Sequence, residues 1–132
     1  MTAQEKDKLT FNDEVYYLAT EPLKSYLQKH NIKFETWWTA CWRGYTGNWI
    51  IEDNKLYLVE LHSFEIPHRN ALDDIFPGQQ KVFAEWFSGT IHTFSDKMYM
   101  YLEFKIENGC LVNVEKKESE YMKILDEQLI GE

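Results

Sequence analysis

Apolar and polar residues alternate along most of the chain, in short runs broken by Asn, Asp or Gly, and this pattern predicts a series of β-hairpins. The first spans Lys8–Leu18, with Leu9, Phe11, Tyr16 and Leu18 on one face if Asn12-Asp13 is a two-residue turn. From Phe34 to Trp42 a strand is expected, with Phe34, Thr36, Trp38, Ala40 and Trp42 on one face and Glu35, Trp37, Thr39, Cys41 and Arg43 on the other. A second hairpin, Asn48 to Leu61, turns at Asp53-Asn54 and sets Ile51 against Leu56, Trp49 against Leu58 and Glu52 against Lys55. The third must bring Met98, Met100, Leu102, Phe104 and Ile106 against Cys110, Val112 and Val114. A two-residue Asn108-Gly109 loop would set Phe104 against Asn113, so a three-residue Glu107-Asn108-Gly109 loop with Gly109 in a bulge is expected.

Helical spacing is rarer. Thr20 is placed to cap a short helix with Pro22 in its first turn, Leu23, Tyr26 and Leu27 on one side, and Asn31 at its end. Ile66–Gln80 reads as a polar loop with one helical turn at Ala71–Ile75. Val82, Phe83, Trp86 and Phe87 form a helical stripe over Gln80–Phe87, closed by Gly89, although so dense an apolar run also suits a strand; Thr90–Phe94 reads as a strand. Tyr121, Ile124, Leu125 and Leu129 predict an amphipathic C-terminal helix over 118–130. Residues 1–7 read as a flexible tail. The expected fold is α+β: a single domain with a twisted, mainly antiparallel, half-barrel-like sheet of about six or seven strands, a short early helix and a C-terminal helix.

Composition narrows the function classes. One hydrophobic core is expected from 132 residues, of which 44% are apolar and 16% aromatic. The net charge of −8, with 14 basic side chains scattered among 22 carboxylates, argues against nucleic acid and for a basic protein or a cation as the charged partner. No stretch reaches the ~20 apolar residues of a membrane span and no leader pattern opens the chain, so a cytoplasmic protein is expected. The two cysteines, Cys41 and Cys110, lack a CxxC spacing or a neighbouring base and read as reduced and inert.

Two groups of residues stand out as candidate sites. Trp38, Trp42 and Trp49 lie on predicted core faces, whereas Trp37 shares the opposite face with Arg43; with Tyr45 beside them, these would form an aromatic and cationic interface. Glu60 and His62 continue the Leu56, Leu58 face past its apolar section, opposite Gly47, where a pocket would open; Glu85 and His92 are candidates to join them as acid/base groups. No nucleophile or third partner at known spacing completes a catalytic set. His62, His68 and His92 lack metal-ligand spacing, Asp73-Asp74 lacks a calcium-loop pattern, and no phosphate loop is present, so no cofactor or metal is expected.

Residues 39–61, TACWRGYTGNWIIEDNKLYLVEL, and 76–91, FPGQQKVFAEWFSGTI, resemble a family of small, uncharacterised bacterial proteins with a Trp-Arg-Gly…Gly-x-Trp-x-Ile…Leu-Tyr-Leu core and an Ala-[Asp/Glu]-Trp-Phe-x-Gly-Thr block. The resemblance spans roughly residues 8–115. It implies a bacterial origin and that Trp42, Arg43, Gly44, Gly47, Trp49, Trp86 and Gly89 lie together; it implies no activity. The functional expectation is a non-catalytic, acidic protein-binding module of bacterial immunity or inhibitor type. The alternatives are a small-ligand-binding protein or enzyme with a pocket near Glu60, His62 and Arg43, and a homo-oligomer joined through the aromatic outward face.

Overall fold

The structure, a computed structural model, describes residues 6–32, 44–63, 70–94 and 100–118. Among these described residues are eight strands: β1 (Lys8–Phe11), β2 (Glu14–Leu18), β3 (Tyr45–Glu52), β4 (Lys55–Ser63), β5 (Val82–Phe83), β6 (Gly89–Phe94), β7 (Met100–Glu107) and β8 (Cys110–Glu118). Two short helices accompany them, α1 (Lys24–Lys29) and α2 (Leu72–Ile75).

Seven strands close into a barrel in the order β3-β1-β2-β6-β7-β8-β4, with β4 returning to β3, and β5 lies against β4. This corrects the α+β half-barrel: the architecture is a mostly β, closed barrel. Closure depends on a parallel pairing that no hairpin pattern encodes, with Leu9 beside Trp49 and Thr10 beside Ile50. Every other ladder is antiparallel. The predicted C-terminal helix is overlapped at its first residue by β8, which runs to Glu118; residues 119–132 lie outside the described residues, as does the predicted strand Phe34–Trp42.

The hairpin turns follow from backbone chemistry. Asn12-Asp13, Asp53-Asn54 and Asn108-Gly109 all hold positive φ at both central positions, the two-residue turn whose twist matches that of paired strands. The first turn and its register are as expected, as are the second turn and the register next to it, with Ile51↔Leu56, Trp49↔Leu58 and Glu52↔Lys55. The third is a correction. Its loop has two residues, Glu107 pairing with Cys110, and the bulge lies farther along: Ile106 pairs with Leu111 but Lys105 with Asn113, leaving Val112 unpaired and 50% exposed. Phe104 consequently meets Val114, so apolar register is recovered inside the strand and not at the turn.

A second bulge reorients β4. Trp49 pairs with Leu58 but Asn48 with Glu60, so Val59 is extra and side-chain parity switches beyond it. Leu56, Leu58, Leu61 and Ser63 are buried, while His62 is exposed and Glu60 half-buried. Gly47 therefore pairs with Leu61, not with Glu60.

The barrel interior is filled by Leu9, Leu18, Tyr45, Trp49, Ile51, Leu56, Leu58, Leu61, Ile91, Phe104 and Ile106. Trp49 is 1% exposed, as expected of a core indole; Trp37, Trp38 and Trp42 lie outside the described residues. Over Trp49 packs an aromatic group from three segments. Trp86 lies 6.5 Å from Trp49 and stacks on Phe76 at 5.8 Å, and Tyr26 of α1 approaches Trp86 at 4.9 Å and Phe76 at 4.8 Å. This group covers apolar surface that a short barrel would otherwise expose.

Three local expectations change. Gln80–Phe87 is not a helix: Val82 and Phe83 extend the edge of β4, Ala84 N–H donates to Leu56 O (2.9 Å), and the Trp86 indole donates to Pro22 O (2.9 Å). The segment is densely apolar because Val82 and Ala84 enter the core, Trp86 joins the aromatic group and Phe83 lies against Tyr57 on the outer side. Thr20 does not cap α1, whose N-cap is Leu23; its hydroxyl instead accepts the His92 N–H (3.0 Å). Asp7, assigned to a flexible tail, is 1% exposed.

Candidate functional site

Asp7 is a buried carboxylate, 1% exposed, with both side-chain oxygens hydrogen-bonded. Its position two residues before Leu9 points it inward, beside the parallel β1–β3 pair. Its Oδ1 accepts the Gly47 N–H (2.9 Å), its Oδ2 accepts the Trp49 indole N–H (2.9 Å), and its backbone oxygen accepts the Leu18 N–H (2.9 Å). One residue thus ties β1, β2 and β3 together at the pairing that closes the barrel. Gly47 makes room for it: a Cβ there would lie 3.1 Å from both Leu58 Cδ1 and Trp49 Nε1, and 3.5 Å from Asp7 Oδ2. With both oxygens committed to donors of its own chain, this carboxylate is a clamp and not a reactive group.

The predicted site residues are not gathered into one pocket. Glu60 and His62 lie on the outer wall, with His62 Nε2 4.0 Å from Glu60 Oε1, because the Val59 bulge turns them away from the interior. Glu60 accepts the Asn48 Nδ2–H (2.7 Å). His92 sits across the barrel on β6, 3.2 Å from Glu103 of β7, and Glu85 is exposed in the turn after β5. Tyr45 is in the core at 3% exposure and so cannot serve as a surface residue. Trp37 and Arg43 lie outside the described residues. Among the described residues no group of three or more His, Cys, Asp or Glu side chains is arranged to hold a metal ion, and Cys110 is a free, half-buried thiol.

The outer wall of β2-β1-β3-β4-β5 carries a feature that strand-by-strand reading misses. Register places Val15 beside Thr10, Thr10 beside Ile50, Ile50 beside Tyr57, and Tyr57 beside Phe83. All five point away from the interior, forming one mostly apolar row across five strands. Val15 is 58% exposed and its strand neighbour Tyr17 is 50% exposed. A second row, Tyr17, Lys8, Asn48 and Glu60, runs alongside, with Lys8 Nζ 5.8 Å from the Tyr17 ring centre. Lys81 reaches over the Tyr57 ring (4.3 Å) and pairs with Glu52, and hydrogen bonding to that carboxylate raises the Lys81 pKa. The signal was present in the sequence as outward apolar residues, but only the β1–β3 pairing aligns them.

Beside this wall, past the bulge, lies a cleft of about 420 Å3 lined by Val59, Asn70, Leu72, Asp73, Gly78, Gln79 and Gln80. Asn70 Oδ1 accepts the N–H groups of Leu61 (2.9 Å) and Leu72 (3.0 Å), fixing the α2 segment to β4. Asp73 Oδ1 accepts the Gly78 N–H (2.6 Å) and shapes the far rim.

Neither protein-family models, nor curated proteins, nor solved structures contain a match to this chain.

Proposed function

We propose that this chain is a non-catalytic, acidic protein-binding module of bacterial immunity or inhibitor type, acting in the cytoplasm and using the outer wall of β2-β1-β3-β4-β5 to hold a basic protein. The observation that carries the reading is the in-register outward row Val15, Thr10, Ile50, Tyr57, Phe83. Aligned apolar and aromatic side chains across five strands form the kind of contiguous patch that marks interaction sites, and Tyr is among the residues that dominate binding energy. The chain's net charge of −8 supports a basic partner and fast, salt-sensitive association. No helix among the described residues is long and apolar enough to cross a membrane.

The test uses Val15→Lys combined with Ile50→Lys, which places like charge in front of a basic partner. Val15 is exposed, and Ile50 faces outward but is half-buried, so the unfolding free energy should fall by about 1–2 kcal/mol with the fold retained. Affinity for the partner captured from the native host should fall at least about tenfold. Unchanged capture by a folded double variant would remove the outer wall from the reading.

A further inference from the structure

We infer that the outer wall of β2-β1-β3-β4-β5 is self-complementary and pairs two copies of this chain face to face, the second copy shielding the wall until a basic partner takes its place; the shielding deepens the protein-binding reading and rests on it. The apolar row is graded in size. Its rings, Tyr57 and Phe83, stand on β4 and β5, its small side chains, Thr10 and Val15, on β1 and β2, and Ile50 of β3 lies between them. Half a turn about an axis along β3 keeps strand direction and reverses strand order. Phe83 of one copy then faces Val15 of the other, Tyr57 faces Thr10, and Ile50 meets its own counterpart on the axis. Large side chains thus meet small ones on both flanks, as two interdigitating sheets require.

The same half-turn matches charges. In the second outward row Lys8 of β1 and Glu60 of β4 flank Asn48 of β3. Within one copy their strands lie roughly 10 Å apart, and Glu60 accepts the Asn48 Nδ2–H (2.7 Å). Reversed strand order brings Lys8 of each copy to Glu60 of the other, which makes two ion pairs per dimer, and sets Asn48 against Asn48. Glu52 meets its own counterpart, but Lys81 pairs with it in each copy and offsets that repulsion.

Apolar area drives the contact, from Val15 at 58% exposure and from half-buried Ile50, Tyr57 and Phe83. Two effects keep it weak. A barrel wall is convex, so contact centres on β3 and its neighbours, and each copy carries a net charge of −8. A weak dimer suits a shield, because a partner that binds more tightly displaces the second copy.

Sedimentation velocity of the purified full chain, from about 1 μM to 1 mM, should show a monomer–dimer equilibrium with a Kd of roughly 10–100 μM. Lys8→Glu and Glu60→Lys should each weaken it at least about tenfold, and the two together should restore it to within about threefold. Lys105→Glu with Glu60→Lys has the same net charge as that exchange but places the new carboxylate on exposed β7 surface, and should not restore it. Benzoyl-phenylalanine at Ile50 of the purified chain should crosslink to β3 of a second copy. A monomer throughout the range, no restoration by the folded Lys8–Glu60 exchange, equal restoration by the Lys105 control, or an Ile50 probe that never reaches β3 overturns the inference. These outcomes are separate from partner capture: a monomeric chain that loses capture with Val15→Lys and Ile50→Lys would leave the protein-binding reading standing and this inference rejected.

Discussion

Replacing Asp7 by Ala should lower the unfolding free energy by about 3–5 kcal/mol, measured by urea denaturation followed through tryptophan fluorescence and far-UV circular dichroism. The substitution leaves the Gly47 N–H and the Trp49 indole N–H without their acceptors inside the barrel wall. Each stranded donor costs about 1–3 kcal/mol, and bonds to a charged acceptor lie at the upper end. Against a total stability of about 5–15 kcal/mol, this approaches the unfolding threshold. Asp7→Asn should recover only part of the loss, because its amide nitrogen would face one of the two donors. A loss below about 1 kcal/mol for Asp7→Ala would mean that the clamp does not hold the β1–β3 pairing.

The second large effect is expected at Gly109, and Gly78 provides its control. Both have φ near +80° (+81° and +78°), so alanine pays a similar backbone cost at each, about 1–2 kcal/mol. Their surroundings differ. A Cβ at Gly78 meets nothing within 4 Å, whereas at Gly109 it falls 2.6 Å from Ala84 O, 2.8 Å from Phe83 Cε1 and 2.9 Å from Ala84 C. Two of these atoms are backbone and cannot rotate away. The same glycine donates to Phe87 O (2.9 Å) and accepts the Leu56 N–H (2.8 Å), next to the Lys55↔Cys110 pair that joins β4 to β8. Gly109→Ala should therefore cost about 3–5 kcal/mol by thermal or urea unfolding, and Gly78→Ala about 1–2 kcal/mol. Equal losses at the two sites would show that the crowding at Gly109 is relieved without consequence.

Local chemistry was legible in the sequence, and closure was not. Asn12-Asp13 and Asp53-Asn54 announced their turns because few residue pairs accept two positive φ angles, and alternation then fixed the registers of the flanking strands. The parallel β1–β3 pair left no such mark: it joins segments separated by α1 and by residues 33–43, and no turn dictates its register. The half-barrel followed from missing that pair. Both bulges did leave a trace, since the apolar positions pass from Leu56 and Leu58 to Leu61, and from Leu111 to Val114, changing parity each time. Extending the even-numbered face through Glu60 and His62 ignored that change and directed two outward residues to a pocket. The inward parity of Leu9 and Phe11 likewise continued back to Asp7, where a charged residue near the start of the chain suggested solvent. Gln80–Phe87 imitates a helical stripe for another reason: its strand is only Val82–Phe83, too short to show alternation, and the apolar run continues through Ala84, Trp86 and Phe87.

The outer wall as the recognition face is tested most directly by photo-crosslinking in the native host, with benzoyl-phenylalanine placed singly at Val15, Ile50, Tyr57, Lys105 and Asn113. The first three lie on the proposed face, and Lys105 and Asn113 pair with each other across β7 and β8 elsewhere on the barrel. The account predicts one and the same basic protein joined to the chain from Val15, Ile50 and Tyr57, and none from Lys105 or Asn113. Adducts formed from Lys105 and Asn113 instead, or the same adduct from all five positions, would contradict it.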